Sequence, residues 1–275
     1  MEKIAKEILS KGNVVLVLGG IDTGKTYFTR GLANSLVSAG KKVAIVDSDV
    51  GQAYIGPPAT IGLGIIIKKI PPEKEIHLVA LYFVGSTSPV RYLLPTVVGT
   101  KVMVEKAWGL GAEIVIVDTG GLIQDGLGRI LKCSKIEILS PDHLIAIQQG
   151  KELEHILQAY SHSQISIHRK KVSPRARVRT PRERTAYRNL KFRSFFKKAK
   201  LQELSLKKID LSYKLGEPEK FNDILISLDD EKGEVLSLGI IKGMSLAKKH
   251  VSFLSPLKEL EMVRRIQFSS YCLEI

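Results

Sequence analysis

The fold class this sequence predicts is α/β: a mostly parallel sheet flanked by helices, with a small, mainly β unit at its C-terminal end. Three observations predict it. From residue 13 to about residue 167, short β-branched apolar runs alternate with helical patterns. The first of these runs passes through a glycine-rich turn straight into a helix. After about residue 200 the helical patterns stop, and strand-like runs separated by turn signals take over. Apolar strands alternating with amphipathic helices bury both faces of a sheet, and that is where parallel strands occur.

The elements follow in order. Residues 13–18 (NVVLVL) read as a buried strand. Phe28, Leu32, Ala33, Leu36 and Val37 lie at helical spacing, and Gly40 supplies a stop. Residues 42–47 (KVAIVD) form a second strand and residues 76–84 (IHLVALYFV) a third. A helix runs from about 92 to 110, with Pro95 near its start. Residues 113–118 (EIVIVD) are a fourth strand, 123–131 a helix weakened by Gly126 and Gly128, and 143–148 (HLIAIQ) a fifth strand. A short helix over 151–160 and a sixth strand over 164–167 complete the alternation. Residues 181–198 have helical character. Strand-like runs then fall at 224–228, 235–241 and 250–254. The expected division is residues 1–200, with an arginine-rich lid at about 169–200, and a β-rich unit over 201–275.

A chain of 275 residues with 44% apolar and 25% charged side chains has the composition of an ordinary globular protein, which excludes disorder over most of its length. Two cysteines, Cys133 and Cys272, build neither a disulfide framework nor a cysteine zinc site. No apolar run is long enough to cross a bilayer, and the first ten residues lack the apolar stretch of a signal peptide. The expected compartment is cytoplasmic, with no membrane partner. The formal charge of +14 is local: residues 169–208 hold 16 basic and 2 acidic side chains, so the rest of the chain is neutral. A concentrated positive field suits a polyanion or a nucleoside triphosphate.

Residues 19–26 (GGIDTGKT) match G-x-x-x-x-G-K-[ST] between a strand and a helix, the context that makes this motif specific. Glycines let the backbone turn its N–H groups onto phosphate oxygens, and the following helix aims its positive end at the same charge. The predicted architecture is therefore a P-loop NTPase sheet. Gly19, Gly20, Ile21, Asp22, Thr23, Gly24, Lys25, Thr26 and Tyr27 are the candidate nucleotide-binding residues. Lys25 suits the β- and γ-phosphates and the Thr26 hydroxyl suits Mg²⁺.

Two strands end in carboxylates: Asp47 with Asp49, and Asp118. Parallel strands present ligands at their C-terminal ends, so one of these serves the metal or accepts a proton. Asp49 lies further out of the sheet and is the preferred base, with Asp47 and Asp49 as candidate metal ligands beside Thr26. D-x-x-G at Asp118 also suits a GTPase switch, but no N-K-x-D guanine-reading motif occurs. Over residues 178–193 arginine outnumbers lysine, with Arg179, Arg184, Arg188 and Arg193 as the lid candidates, and arginine's planar fork suits bidentate phosphate contact. An arginine lid stabilises charge on a transferring phosphoryl group and excludes water.

Taken together, these motifs resemble the polynucleotide 5′-hydroxyl kinases that process RNA. Residues 46–52 (VDSDVGQ) resemble that family's D-x-D-x-G-Q strand end, and residues 83–89 (FVGSTSP) its F-G-x-x-[ST]-P element. Residues 117–121 (VDTGG) resemble its N-T-x-G-W turn, and the arginines from Arg179 onward, followed by Phe195 and Phe196, its lid. The resemblance implies transfer of a γ-phosphate from ATP or GTP, with Mg²⁺, to the 5′-hydroxyl of a nucleic acid, RNA favoured over DNA. It implies Asp49 as general base, with Lys25, Arg179, Arg184 and Arg188 as the other catalytic residues. Gln52, Ser86, Ser88, Asp118, Thr119 and Gly120 are implied at the acceptor site. Leu122 stands where the family often has an acceptor-stacking tryptophan, and Tyr54 is the candidate replacement. Trp108, the sole tryptophan, reads as core. The chain reads as a minimal form without the family's N-terminal domain. The competing readings are a non-catalytic ATP-holding RNA-processing factor and a small-metabolite kinase.

Overall fold

The computed structural model describes residues 1–213 and 221–273. An N-terminal helix, α1 (Glu2–Ser10), precedes strand β1 (Val14–Gly19), helix α2 (Lys25–Ser38) and strands β2 (Val43–Ser48), β3 (Thr60–Ile66) and β4 (Ala80–Phe83). Then come α3 (Leu93–Gly109), β5 (Ile114–Thr119), α4 (Asp125–Leu139), β6 (His143–Ile147), the single turn α5 (Glu154–Leu157) and β7 (Ser166–Lys170). These seven strands form one sheet in the order β4-β3-β2-β5-β1-β6-β7. All its pairings are parallel except β2–β3 and β3–β4.

The strands in the middle of the sheet are buried on both sides, and residue parity decides which layer each side chain meets. Val15, Val17, Val43, Ile45, Ile114 and Ile116 pack with Phe28, Leu32 and Leu36 of α2 and Ile4 and Ile8 of α1. Leu16, Leu18, Ala44, Val46, Val115 and Val117 pack with Met103, Val104 and Ala107 of α3 and Ile136 and Leu139 of α4. Trp108 is half-buried against this second layer, as expected.

Helix α6 (Pro181–Phe196) leads into a second sheet of β8 (Lys200–Ser205), β9 (Asp210–Tyr213), β10 (Ile224–Asp229), β11 (Val235–Ser245), β12 (His250–Ser255) and β13 (Arg265–Cys272). Its order is β8-β12-β11-β10-β13-β9, antiparallel but for β13–β9. The two sheets share a core. Leu81 and Phe83 of β4, Phe192 and Phe196 of α6, and Leu225, Leu238 and Ile240 of the second sheet pack together. The Phe192 ring also stacks on Tyr271 at 5.8 Å.

The structure departs from the sequence expectations at several places. The third predicted strand shrinks to β4, and β3 is a strand the sequence did not announce. Gly62 and Gly64 dilute its β-propensity, and a side chain at 62 would collide with the Ile55 carbonyl 2.0 Å away. Helix α4 runs eight residues past the predicted end at 131, because its lysines sit on the buried face and hide the apolar stripe. The helix expected over 151–160 is one α-turn followed by a 3₁₀ turn. Strands β8, β9 and β13 were not announced either: β8 is an edge with a largely exposed, polar sequence, β9 is an edge of only four residues, and Ser269 and Ser270 break the apolar pattern of β13.

Helix α6 is polar along most of its length, and only Phe192 and Phe196 are buried. Its C-terminal half is thus anchored between the sheets, while the N-terminal half depends on what it meets at the site. Phe192→Ala is expected to lower stability by about 3–5 kcal/mol in urea denaturation. Amide exchange in α6 should rise before that of the sheet strands.

Candidate active site

Parallel pairing brings three strand ends to one edge. β1 delivers the glycine-rich loop, β2 delivers Asp47-Ser48-Asp49, and β5, between them in the sheet, delivers Asp118-Thr119-Gly120. The loop enters α2 through Asp22 and Gly24, both at positive φ (57° and 84°). Lys25 Nζ donates to the Gly20 carbonyl at 2.5 Å, and Thr23 Oγ1 donates to the same oxygen at 3.0 Å. Lys25 is buried; desolvation lowers its pKa, while the charges of Asp118, Asp49 and Asp22 oppose that shift. Ile21 and Tyr27 are exposed, so at Ile21 the loop offers backbone rather than side chain. Gly121 is required where it stands, since a Cβ there would lie 2.7 Å from the Ile21 amide nitrogen. The β5 turn therefore presses directly on the phosphate loop.

Asp47 and Asp118 are register partners, as are Ser48 and Thr119. Parity puts the two carboxylates on the α2 side of the sheet and the two hydroxyls on the α4 side. Asp47 was expected to serve a metal; the structure corrects this. Its Oδ2 accepts the Tyr54 and Ile55 amides at 2.6 and 2.9 Å, and its Oδ1 accepts the Asp49 amide at 3.2 Å. It is a loop-closing carboxylate without exposed surface, and burial, reinforced by the charge of Asp118, pushes its pKa well up.

Asp118 takes the position next to the phosphate loop, rather than the acceptor-side position expected of it. Both of its oxygens are buried without a hydrogen-bond partner among the described residues. Burial pushes its pKa up to about 6, opposed by the Lys25 ammonium and the nearby Thr26 and Tyr54 hydroxyls. Those hydroxyls stand close to the carboxylate without completing a bond of full geometry. An orphaned buried carboxylate needs a partner, and hard oxygen donors beside a threonine hydroxyl fit a divalent cation. Tyr54 is not a stacking platform: its hydroxyl is buried, with no hydrogen-bond partner among the described residues, and burial and Asp118 drive its pKa far up.

Asp49 is half-buried. Its Oδ1 accepts the Gly51 and Gln52 amides at 3.1 and 3.0 Å, and among the described residues Oδ2 carries no such bond. Thr119, expected to line the acceptor site, is fully buried, donates to Val17 O at 2.8 Å and accepts from Lys132 at 3.1 Å; its hydroxyl is spent inside the protein. Ser88 Oγ accepts the Val90 amide and Ser86 Oγ the Ser88 amide, so both oxygens help shape their own loop. That loop nevertheless borders the site, because the Thr87 carbonyl lies 2.8 Å from where a side chain at Gly51 would begin.

The lid docks on the phosphate loop through Asp22. Its Oδ2 accepts the Arg179 amide at 2.8 Å and Arg184 Nη1 at 3.2 Å. Arg184 also donates to the Arg179 carbonyl at 2.5 Å. Between these two residues Thr180 starts α6 with a capping box closed by Glu183. Gln52 bridges lid and strand end, accepting from Arg179 at 3.4 Å and donating to the Arg184 carbonyl at 3.2 Å. Arg188 bonds Thr185 on its own helix, and Arg193 is exposed; neither reaches the loop. Tyr187 and Lys191, which the sequence did not single out, bind the Ala53 and Tyr54 carbonyls at 3.2 and 3.3 Å.

Two further residues went unread in the sequence. Lys132 and Lys135 of α4 are fully buried behind the strand ends, Lys132 donating to Gly120 O at 2.6 Å and Lys135 to Ser48 Oγ. Desolvation lowers both pKa values, that of Lys135 to about 7. The available signal was spacing: positions 128, 131, 132, 135, 136 and 139 form one helical stripe, and lysine occupies two of its six places.

A phosphate loop on a parallel sheet, an orphaned carboxylate beside it and an arginine-bearing helix over it define a P-loop phosphotransferase. More particularly, the chain belongs to the CLP1 P-loop family: the model described as mRNA cleavage and polyadenylation factor CLP1 P-loop matches residues 19–198. It is 32% identical to the polyribonucleotide 5′-hydroxyl-kinase PF0112 of Pyrococcus furiosus, over 97% of this chain and 90% of that protein. It is 32% identical to the polyribonucleotide 5′-hydroxyl-kinase MJ1315 of Methanocaldococcus jannaschii, over 92% of this chain and 85% of that protein. The solved structure of wild-type Clp1p in complex with Pcf11p (454–563) shares the fold. It covers 98% of this chain and 77% of its own, with a TM-score of 0.76 at 13% identity.

Asp118 holds its proton more tightly folded than unfolded. Its contribution to stability is therefore complete below about pH 4 and is lost as pH rises through about 6. Asp118→Asn is expected to raise the stability of the nucleotide-free protein by about 1–3 kcal/mol above pH 6. The gap should close toward pH 4, as read by thermal unfolding across that range.

Proposed function

We propose that this chain is a polynucleotide 5′-hydroxyl kinase that moves the γ-phosphate of a nucleoside triphosphate onto the 5′-end of RNA. One observation carries the reading: Asp49 presents a carboxylate oxygen that takes no hydrogen bond from the described residues, at a strand end flanked by the phosphate-loop lysine and, through Gln52, by the lid arginines. A base facing a phosphate cradle is the arrangement that in-line transfer to a hydroxyl needs.

The roles follow from position. The loop amides and Lys25 bind the phosphates, with Lys25 moving from the Gly20 carbonyl to the β- and γ-oxygens. Thr26 and Asp118 would hold Mg²⁺, whose chemistry is to neutralise charge on the phosphates. Asp49 takes the proton from the 5′-hydroxyl as the new O–P bond forms and the bond from the γ-phosphorus to the β-bridging oxygen breaks. Arg179 and Arg184 sit where they neutralise the transferring group, and the closed lid keeps water away from it. Gln52 links the acceptor side to the lid. RNA is favoured as acceptor because the relatives carry that activity in their names; ATP and GTP both suit a loop that grips only phosphates.

The test is transfer of labelled γ-phosphate to 5′-hydroxyl RNA and DNA oligonucleotides of one sequence. Lys25→Ala and Asp49→Asn are each expected to lower the rate by roughly 10³-fold or more, and Arg184→Ala by roughly 10²–10³-fold. Asp49→Asn should leave nucleotide affinity intact. No label on any oligonucleotide, with nucleotide still bound, overturns the reading.

A further inference from the structure

Helix α4 buries Gly128, Leu131, Lys132, Lys135, Ile136 and Leu139 along one face. Lysine is almost never fully buried without a partner, and well-packed apolar side chains in place of a whole buried charge cluster are often neutral or stabilising. Core stability therefore gives no reason for two ammonium groups in this stripe. The reason has to lie in what they reach.

Each lysine is the first donor of a hydrogen-bond chain that ends on a backbone carbonyl. Lys132 donates to Gly120 O at 2.6 Å and to Thr119 Oγ1 at 3.1 Å, and Thr119 donates onward to Val17 O of β1 at 2.8 Å. Lys135 donates to Ser48 Oγ. Thr100 gives its own proton to Thr96 O at 2.6 Å, so Ser48 is the donor in the 2.8 Å bond to Thr100. Ser48 and Thr119 are register partners on β2 and β5. The two lysines thus grip neighbouring strand ends from the α4 side, opposite Asp47 and Asp118. One residue beyond each gripped hydroxyl stand Asp49 and Gly120. These two residues pack together, a methyl group at 120 falling 3.4 Å from the Asp49 carboxyl carbon.

We propose that Lys132 and Lys135 are positioning residues for phosphoryl transfer, holding the ends of β5 and β2 so that Asp49 and the Gly120 turn keep a fixed separation at the acceptor side. The proposal rests on the reading of Asp49 as the base. Neither lysine touches nucleotide or acceptor; both act through the backbone and hydroxyls they hold.

The experiment compares Lys132→Met, Lys135→Met, Lys132→Gln and Lys135→Gln with the wild type. Steady-state transfer to 5′-hydroxyl RNA is measured alongside amide hydrogen exchange of the free protein. Methionine keeps the length and apolar bulk but donates nothing, whereas glutamine restores a donor. The methionine variants are expected to lose roughly 10–100-fold in kcat, the cost of a misplaced reacting group. KM for both substrates should stay within about threefold, and glutamine should recover part of the loss. Exchange should rise at 119–121 for the Lys132 variants and at 48–52 for the Lys135 variants, and not elsewhere. Unchanged kcat in folded methionine variants overturns the proposal, as does a loss of kcat accompanied by protection lost across the whole sheet. Should the methionine variants not fold, the glutamine variants decide: a partial loss of kcat with exchange raised only at the strand end concerned supports the proposal, and wild-type kcat with wild-type exchange, or exchange raised across the whole sheet, overturns it. A wild type that transfers no phosphate removes the role of Asp49 instead. Exchange localised to the two strand ends would then still support the grip of the lysines, and its absence would overturn it.

Discussion

Pairing of β2 with β5 is the constraint on which the site depends. It sets Asp47 beside Asp118 on one side of the sheet and Ser48 beside Thr119 on the other. Burial in this dry interior pushes both carboxyl pKa values up, the charge of Asp118 adds to the shift of Asp47, and burial together with both carboxylates raises the neighbouring Tyr54 hydroxyl. The protein manages this charge in two ways. Asp47 is absorbed by three backbone amides, and Asp118 is left beside the Lys25 ammonium with its oxygens unspent. The carboxylate without internal partners is the one a cation can use.

The lid obeys a different logic. Its helix is anchored at its C-terminal end by Phe192 and Phe196 in the core shared by both sheets. Its N-terminal end is held by hydrogen bonds and one half-buried ion pair to Asp22. Apolar burial at one end and polar contacts at the other make the arginine end the weaker one, which is the end that has to accommodate a nucleotide. The second sheet contributes here by completing the core that anchors α6, a role its position against β4 makes physical.

Much of the site was legible. The glycine-rich loop and its helix are local chemistry, spelled out in eight consecutive residues, and the strand ends at Asp49 and Asp118 follow from apolar runs that stop at carboxylates. What each carboxylate does was not legible. Asp47 and Asp49 share the same parity and differ in which amides fold back on them, and Asp118 was assigned to the acceptor side although it faces the loop. Thr119 matched a motif, yet its hydroxyl turns inward to Val17 and Lys132. Among four plausible lid arginines, the two that reach the loop are those flanking the helix cap, because that cap lies against Asp22.

The sequence by itself determined the local elements and the phosphate cradle. Both depend on neighbours along the chain: hydrophobic periodicity, glycine at a turn, a lysine at the start of a helix. Tertiary structure alone decided the strand order that puts Asp118 next to the phosphate loop, the register that separates carboxylates from hydroxyls, and the burial of Lys132 and Lys135. These are properties of residues far apart in the chain, brought together only when sheet and helices close on one another. The charge of a side chain can be read from a sequence, but whether that charge meets water, an amide or another charge is set by packing.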